Sequence, residues 1–352
     1  MLTIDGSQGE GGGQILRTSL TLSLCTGQPF CLANIRAQRD TPGLRPQHLQ
    51  AVTAAAQLAE AEVSGAAVGS RELIFQPRRF GAAIAPGAYR FDIGTAGSTS
   101  LVLQTVLLPL LLARGASTVT LVGGTYNTKA PPFDFCDRVF APLLRRIGVG
   151  LTLRMHRPGF YPAGGGQIVA EIEPLTDGMA SLGRLDLLSR GAILRQTATA
   201  VLARLPAHIG EREHGVLEQR LGWPKSAYVA RPIARSQSPG NVVLLEVESE
   251  HVTELFSSVG ERGLPAEEVA ERAAAEALQY LACDAPVGEH LADQLLLPLA
   301  LGAGGRYRTV EPSLHTRTQV EIIGRFLPQV RITLRAESAQ VTHIEVDPGA
   351  RS

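Results

Sequence analysis

The sequence predicts an α/β (α+β) protein: three repeated βαβαββ units forming one large domain, with a smaller α/β domain inserted. Three observations predict it. Helical patterns, apolar at i, i+3 and i+4, alternate with runs apolar at every second residue. Gly-rich joints recur at Gly11–Gly13, Gly164–Gly166 and Gly302–Gly305, each next to such a pattern. The rhythm then changes between about Leu182 and Ala282 and resumes afterwards. The expected division is therefore residues 1–181 with 283–352 as the large domain and 182–282 as the insertion. At 352 residues the chain is long enough for both.

The elements follow in order. Leu2–Ile4 reads as a short strand. A Gly-rich loop follows and opens at about Gln14 into a helix bearing Ile15, Leu16, Leu20, Leu22 and Leu24. Pro29–Arg36 alternates like a strand, and Pro46–Ala61 has a helical apolar side of Leu49, Val52, Ala56 and Leu58. Glu72–Gln76 and Tyr89–Ile93 are strands joined by a polar turn. The cycle repeats with a helix over Gly97–Arg114, a strand over Ser117–Val122, a helix over Pro132–Ile147 and strands at Gly150–Met155 and Gln167–Ile172. In the insertion, Ala192–Gln196 and Val242–Val247 read as strands, His208–Leu221 and Ala266–Leu281 as helices, and Arg231–Gly240 as an exposed loop. A last cycle has helices at Leu291–Leu301 and Thr316–Phe326, with strands at Thr309–Glu311, Gln329–Arg335 and Val341–Val346.

Composition narrows the function classes. Hydrophobic content of 44% and charged content of 19% fit an ordered globular chain. Net charge is zero, so any nucleic-acid contact must come from a local basic patch. Cys25, Cys31, Cys136 and Cys283 are too scattered for a disulfide framework or metal cluster and read as small apolar residues of a reducing compartment. Asp5 and Glu10 stand where a signal peptide would need apolar residues. The most apolar stretch, Leu101–Ala113, contains Gln104 and is shorter than the ~20 residues of a membrane span. The expectation is a cytoplasmic protein without a membrane partner.

The segment from Asp5 to Arg17 is the most informative. Five glycines surround Glu10. Glycine lets the backbone take positive φ and approach a ligand closely, and the helix that follows aims free N–H groups into the loop, which suits an anion. A carboxylate at the same mouth calls for a cation, such as a divalent metal on a nucleotide phosphate. Taken alone, the loop reads more simply as a turn and cap with an exposed Glu. The spacing is neither that of the P-loop nor that of the dinucleotide fingerprint. Arg36, Arg39, Arg45, Gln47 and His48 cluster around the second strand's end and the next helix's start, where ligands sit in open sheets and where arginine forks suit phosphate oxygens; on spacing alone a solvated surface loop with ordinary charges fits equally well. Gly123–Phe135 places Gly, Pro and aromatic residues in a row, either as a rigid apolar wall for a base or as a strand-to-helix connection. Of eight histidines, His156, His208, His214, His251 and His343 read as surface. His315 differs, lying between a strand and a helix in Pro312–Thr318, opposite the helix that bears Asp293.

Together these segments resemble the RNA 3′-terminal phosphate cyclases. The match runs through Asp5–Arg17, Arg36–His48, Gly94–Gln104, Gly123–Asp134, Phe160–Gly166, Glu289–Leu297 and His315, nearly the whole chain in order. Members have the three-repeat domain with its insertion, and they use ATP and a divalent cation (Mg or Mn) to convert an RNA 3′-phosphate into a 2′,3′-cyclic phosphate. The resemblance implies His315 as the nucleophile that carries AMP, and Glu10 as the metal contact. It places Arg17, Arg36, Arg39 and Gln47 at the RNA 3′-phosphate, with Arg39, His48 and Asp293 in the catalytic set. Gln104, Pro131, Phe135, His290, Asp293, Gln294 and His315 fall on the nucleotide site. Asp293 either orients the His315 imidazole or serves the metal. His290 stands where relatives carry a tyrosine against adenine, and Gln319 replaces an asparagine common after the nucleophile. RNA with a 3′-phosphate end and ATP are the implied partners, and relatives suggest a homodimer. Two rival readings share the fold: a non-catalytic RNA-processing scaffold, which lacks the nucleophile, and an enolpyruvyl transferase, which forms no covalent AMP.

Overall fold

In a computed structural model of the chain, residues 1–349 are described. Strand β1 (Leu2–Asp5) runs parallel to β2 (Phe30–Ala33) with helix α1 (Gly13–Thr26) between them. Helix α2 (Pro46–Ala59) leads to an antiparallel pair, β3 (Glu62–Ser64) and β4 (Leu73–Gln76), and the sheet order is β1-β2-β4-β3. The next unit repeats the wiring. It comprises β5 (Ala88–Asp92), α3 (Thr99–Leu111), β6 (Ser117–Gly123), α4 (Phe133–Phe135), α5 (Ala141–Arg146), β7 (Leu151–Arg157) and β8 (Gly166–Ile172), in the order β5-β6-β8-β7. The single helix expected over Pro132–Ile147 is interrupted, because Cys136–Phe140 forms a π-helical turn between α4 and α5.

Strand β9 (Leu185–Leu187) is followed by a fourth sheet before its own partners appear. That sheet holds β10 (Ile193–Ala203), α6 (Ala207–Leu221), β11 (Tyr228–Ile233), β12 (Gly240–Ser249), β13 (Thr253–Val259) and then α7 (Ala266–Leu281), ordered β11-β10-β12-β13. The chain then makes α8 (Glu289–Leu301), β14 (Gly305–Thr309), α9 (Leu314–Phe326), β15 (Arg331–Ala336) and β16 (Thr342–Asp347). Strand β9 pairs in parallel with β14, giving β15-β16-β14-β9, the wiring of the first two units. The α/β expectation with three like-wired units is thus met.

Several local expectations are corrected. Arg231 lies in strand β11, not in a loop. That strand is an edge, where the missing N–H of Pro232 costs no ladder bond. The strand expected at Thr309–Glu311 lies at Gly305–Thr309, where Gly305, Tyr307 and Thr309 alternate into the core. Strand β2 stops at Ala33, because Asn34 and Arg36 both turn to a φ of 53°. Arg36 and Arg39 therefore sit in a turn beyond the strand.

The main core gathers side chains from all three like-wired sheets and from α1, α3 and α8. A second core under the fourth sheet contains Trp223, Phe256 and Tyr280. The four cysteines are unpaired, with Cys136 buried and the others half-buried. Among the described residues no helix is long and apolar enough to cross a membrane.

Candidate functional site

The glycine loop positions the first functional side chain. Gly9 and Gly11 take φ of 56° and 60°, a region glycine enters without strain. A Cβ at Gly9 would stand 2.2 Å from Thr318 Oγ1, so only glycine lets the loop lie against α9. There the Glu10 N–H donates to Thr318 Oγ1 at 2.8 Å, and that hydroxyl donates to the Leu314 carbonyl at 2.7 Å. A Cβ at Gly13 would come within 2.5 Å of His48 Nε2 and 2.9 Å of Arg17 Nη1, so this second glycine allows α1 to close on α2.

Glu10 pairs with Arg39 through Oε1, and Arg39 Nη2 also donates to the Glu10 carbonyl at 2.8 Å. Glu10 Oε2 is buried and has no partner in the structure. His315, at the start of α9, has its Nε2 4.0 Å from Glu10 Oε1 and its Nδ1 2.8 Å from Gln14 Oε1. Gln14 Nε2 donates to Asp293 Oδ2 at 2.8 Å and to Gln319 Oε1 at 3.2 Å. Gln319 Oε1 also accepts the Thr18 hydroxyl at 2.6 Å. Asp293 therefore reaches the His315 ring through Gln14. With two acceptors facing its amide nitrogen, Gln14 turns its oxygen to the imidazole. The network thus assigns a proton to Nδ1 and leaves the Nε2 lone pair free.

Electrostatics keep the ring neutral. Burial, with help from Arg17, His290 and Arg39, lowers the His315 pKa, so the ring is neutral at pH 7. Burial pushes Asp293 up to about 6, against hydrogen bonding from Gln294 and the charges of His290 and Arg17. Arg17 is lowered to about 10 by burial, with Asp293 opposing, and it stays charged. His48 is driven to about 3 by burial and then by Arg17, Arg36 and Arg45. Its Nδ1 accepts the Arg45 N–H at 3.1 Å, so this neutral ring presents Nε2–H beside Arg17.

The other sequence candidates distribute unevenly. Gln104 Nε2, on α3, donates to Gln294 Oε1 on α8 at 2.5 Å, and Gln294 Nε2 donates to Asp293 Oδ1 at 3.1 Å. The Pro131 carbonyl accepts the Ser100 hydroxyl of α3 at 2.7 Å. Gln47 is exposed on the first turn of α2. Arg36 turns Nη1 onto the carbonyls of Thr41 (2.6 Å) and Gly43 (3.2 Å), carbonyls of its own loop. Phe135 is only 2% exposed and belongs to the main core, so its ring faces protein. His290 is exposed on the first turn of α8, with Nε2 3.6 Å from Glu276 Oε2, a neighbour that raises its pKa to about 9. Glu10, Arg17, Arg39, His48, Asp293, Gln294, Gln104 and His315 thus form one connected group.

Gln14, Thr18 and Thr318 were not singled out from the sequence, yet they hold the group together. One signal for the first two was available. Gln14 and Thr18 are polar, four residues apart, and therefore share a face of the helix that opens from the glycine loop.

A family model described as RNA 3′-terminal phosphate cyclase matches residues 8–333. A Koribacter versatilis protein named RNA 3′-terminal phosphate cyclase is 51% identical over 328 residues, 93% of this chain and 90% of that protein. One of the same name from Ralstonia nicotianae is 47% identical over 347 residues, 98% of this chain and 97% of that protein. Among solved structures, the enolpyruvyl transferase NikO from Streptomyces tendae overlaps at a TM-score of 0.27 and 14% identity, covering 46% of this chain and 29% of that one. An overlap that slight decides nothing about fold or activity.

Proposed function

The chain belongs to the RNA 3′-terminal phosphate cyclase family, and from that premise we propose that it cyclises RNA 3′-phosphate ends at the expense of ATP through His315. The observation that carries this reading is the assembled group: a neutral imidazole with Nε2 free, its Nδ1 held by Gln14 and Gln14 held by Asp293. That is the arrangement of a nucleophile oriented by a second group.

In the proposed sequence, His315 Nε2 attacks the α-phosphorus of ATP. An N–P bond forms as the P–O bond to pyrophosphate breaks, leaving AMP on the imidazole. An oxygen of the RNA 3′-phosphate then attacks that phosphorus and the N–P bond breaks, returning neutral His315. The vicinal 2′-hydroxyl attacks the adenylylated 3′-phosphate, loses its proton and expels AMP. Linking the 3′-phosphate to AMP turns a poor leaving group into a stabilised one, and the neighbouring hydroxyl is already at high effective concentration. Arg17 and Arg39 supply positive charge for the phosphoryl oxygens. His48 presents a neutral donor beside Arg17.

A divalent cation fits the site on two grounds. Glu10 Oε2 is a buried carboxylate oxygen without a partner, and a Cβ at Gly12 would come within 2.1 Å of it, so the loop leaves that oxygen room. Among the described residues no group of three or more His, Cys, Asp or Glu forms a metal cage. Glu10 would therefore hold the ion jointly with substrate phosphates, as small hard cations are usually held. Bound there, the ion would neutralise phosphoryl charge.

The test is incubation with α-labelled ATP and a divalent metal, followed by denaturing electrophoresis. The expected result is an acid-labile, alkali-stable protein–AMP adduct that His315→Ala abolishes. An adduct that survives His315→Ala would remove His315 from its role. A folded wild type that forms no adduct, even with an RNA 3′-phosphate present, would favour the scaffold reading.

A further inference from the structure

Glu254 is a buried carboxyl that the proposed reaction does not use. It belongs to β13 of the fourth sheet and is 1% exposed. Its Oε1 accepts the N–H of Gly288 at 2.5 Å. Gly288 is the residue from which α8 starts, and no side chain of its own caps that helix. A Cβ on Gly288 would lie 3.1 Å from Glu254 Oε1, so the two elements are in close contact. Burial pushes Glu254 up to about 7. The helix it caps carries Asp293 and Gln294.

The same sheet reaches a second point. Arg231, in β11, places Nη1 3.1 Å from Asp134 Oδ1 and donates through Nη2 to the Tyr126 hydroxyl at 2.9 Å. Tyr126 in turn donates to Asp134 Oδ2 at 2.7 Å. Asp134 is 2% exposed and lies in α4, three residues beyond Pro131. From Pro131 a hydrogen-bonded path runs through Ser100 to α3, from Gln104 to Gln294 on α8, and from Asp293 through Gln14 to His315. The fourth sheet therefore grips the helix at which the path reaches Asp293 and the segment from which it departs.

We propose that the fourth sheet is a brace for the nucleotide site: Glu254 and Arg231 are positioning residues that hold α8 and the 131–134 segment where ATP is to bind. This rests on the proposed function. The physical reason is that the Gly288 N–H would be a buried donor without a partner if Glu254 were lost, that Arg231 sets a charge-assisted pair on the buried Asp134, which Tyr126 and Arg138 also reach, and that a shift of about 1 Å in a positioned group costs on the order of a hundredfold in activity.

The experiment has two readouts on folded, full-length protein: ATP affinity by calorimetry, and hydrogen exchange in 289–294 and 131–135 without nucleotide. Glu254→Ala is expected to weaken ATP binding about tenfold and to speed exchange in 289–294. Glu254→Gln keeps an acceptor oxygen for Gly288 and is expected to stay within about threefold of wild type. Arg231→Ala is expected to weaken binding about tenfold and to speed exchange in 131–135. Folded Glu254→Ala and Arg231→Ala proteins that bind ATP like wild type would overturn the brace, whatever their melting temperatures. Unchanged exchange in both segments would also overturn it, and that readout decides the matter even if wild type binds no ATP, a result that would instead sink the ATP-dependent reading.

Discussion

Replacing Gln14 by Ala tests the orientation of the nucleophile directly. The side chain makes three contacts: His315 Nδ1 at 2.8 Å, Asp293 Oδ2 at 2.8 Å and Gln319 Oε1 at 3.2 Å. Alanine removes all three. His315 loses the acceptor that favours a proton on Nδ1, so the tautomer with a free Nε2 is depopulated and the ring is freed to turn. A neutral hydrogen bond contributes about 1 kcal/mol and one to a charged group about 1.5–3 kcal/mol. If the loss falls on the step in which Nε2 attacks, about 1.5–3 kcal/mol is a slowing of roughly 10- to 150-fold. The assay is the single-turnover rate of protein–AMP formation at saturating ATP, on protein shown to be folded by circular dichroism. Gln14→Glu keeps an oxygen for the Nδ1–H but sets its other oxygen against Asp293 Oδ2 and Gln319 Oε1, so it should recover only part of the rate. A folded Gln14→Ala protein that forms adduct within about twofold of the wild-type rate would refute the orienting role.

Three further outcomes are expected. The lowered His315 pKa keeps the nucleophile unprotonated at neutral pH, so adduct formation should hold as pH falls to about 6.5, the ordinary histidine value, and fail only below it. A pH–rate profile with its acid limb above pH 7 would contradict this. Asp293, raised from 3.8 to about 6, binds its proton more tightly folded than unfolded, so its contribution to stability is full below about pH 4 and is lost as pH rises through 6. Asp293→Asn should therefore melt higher than wild type at pH 7, by up to about 3 kcal/mol of stability less the cost of one donor–donor clash. That gain should vanish near pH 4, and adduct formation should fall at both pH values. Equal melting temperatures at pH 7 would show that the buried charge costs nothing. Gly13→Ala should push His48 and Arg17 out of place and cut cyclisation at least tenfold, because the new Cβ would meet His48 Nε2 at 2.5 Å. Turnover assays at saturating ATP and RNA check this, with a result near wild type refuting the packing argument.

Much of the fold was legible because its signals are local. The apolar face of Pro46–Ala59, the Ala- and Glu-rich Ala266–Leu281 and the run of α3 each declare a helix within a few turns. The failures have local causes too. Strand β11 contains Arg231 and Pro232, residues that usually speak against a strand, and it exists because β10 supplies a parallel edge beside it. The π-helical turn at Cys136–Phe140 leaves no mark on the hydrophobic pattern. Phe135 illustrates the site's limits. Its position in a Pro- and aromatic-rich loop reads like a pocket wall, but the ring lies in the core.

By itself the sequence determined the order and kind of the elements, the three-fold repetition, and which glycines, arginines and histidines stand at element ends. Those are properties of neighbouring residues, set by side-chain periodicity and backbone freedom. Only the tertiary structure decided which of them meet. Gln14 and Asp293 are separated by 279 positions, and Gln14 and His315 by 301. They touch because α1 packs against α9, which bears His315 in its first turn, and α9 packs in turn against α8, which carries Asp293. A side-chain hydrogen bond across that separation depends on how helices pack, and helix packing has no local signature in the chain.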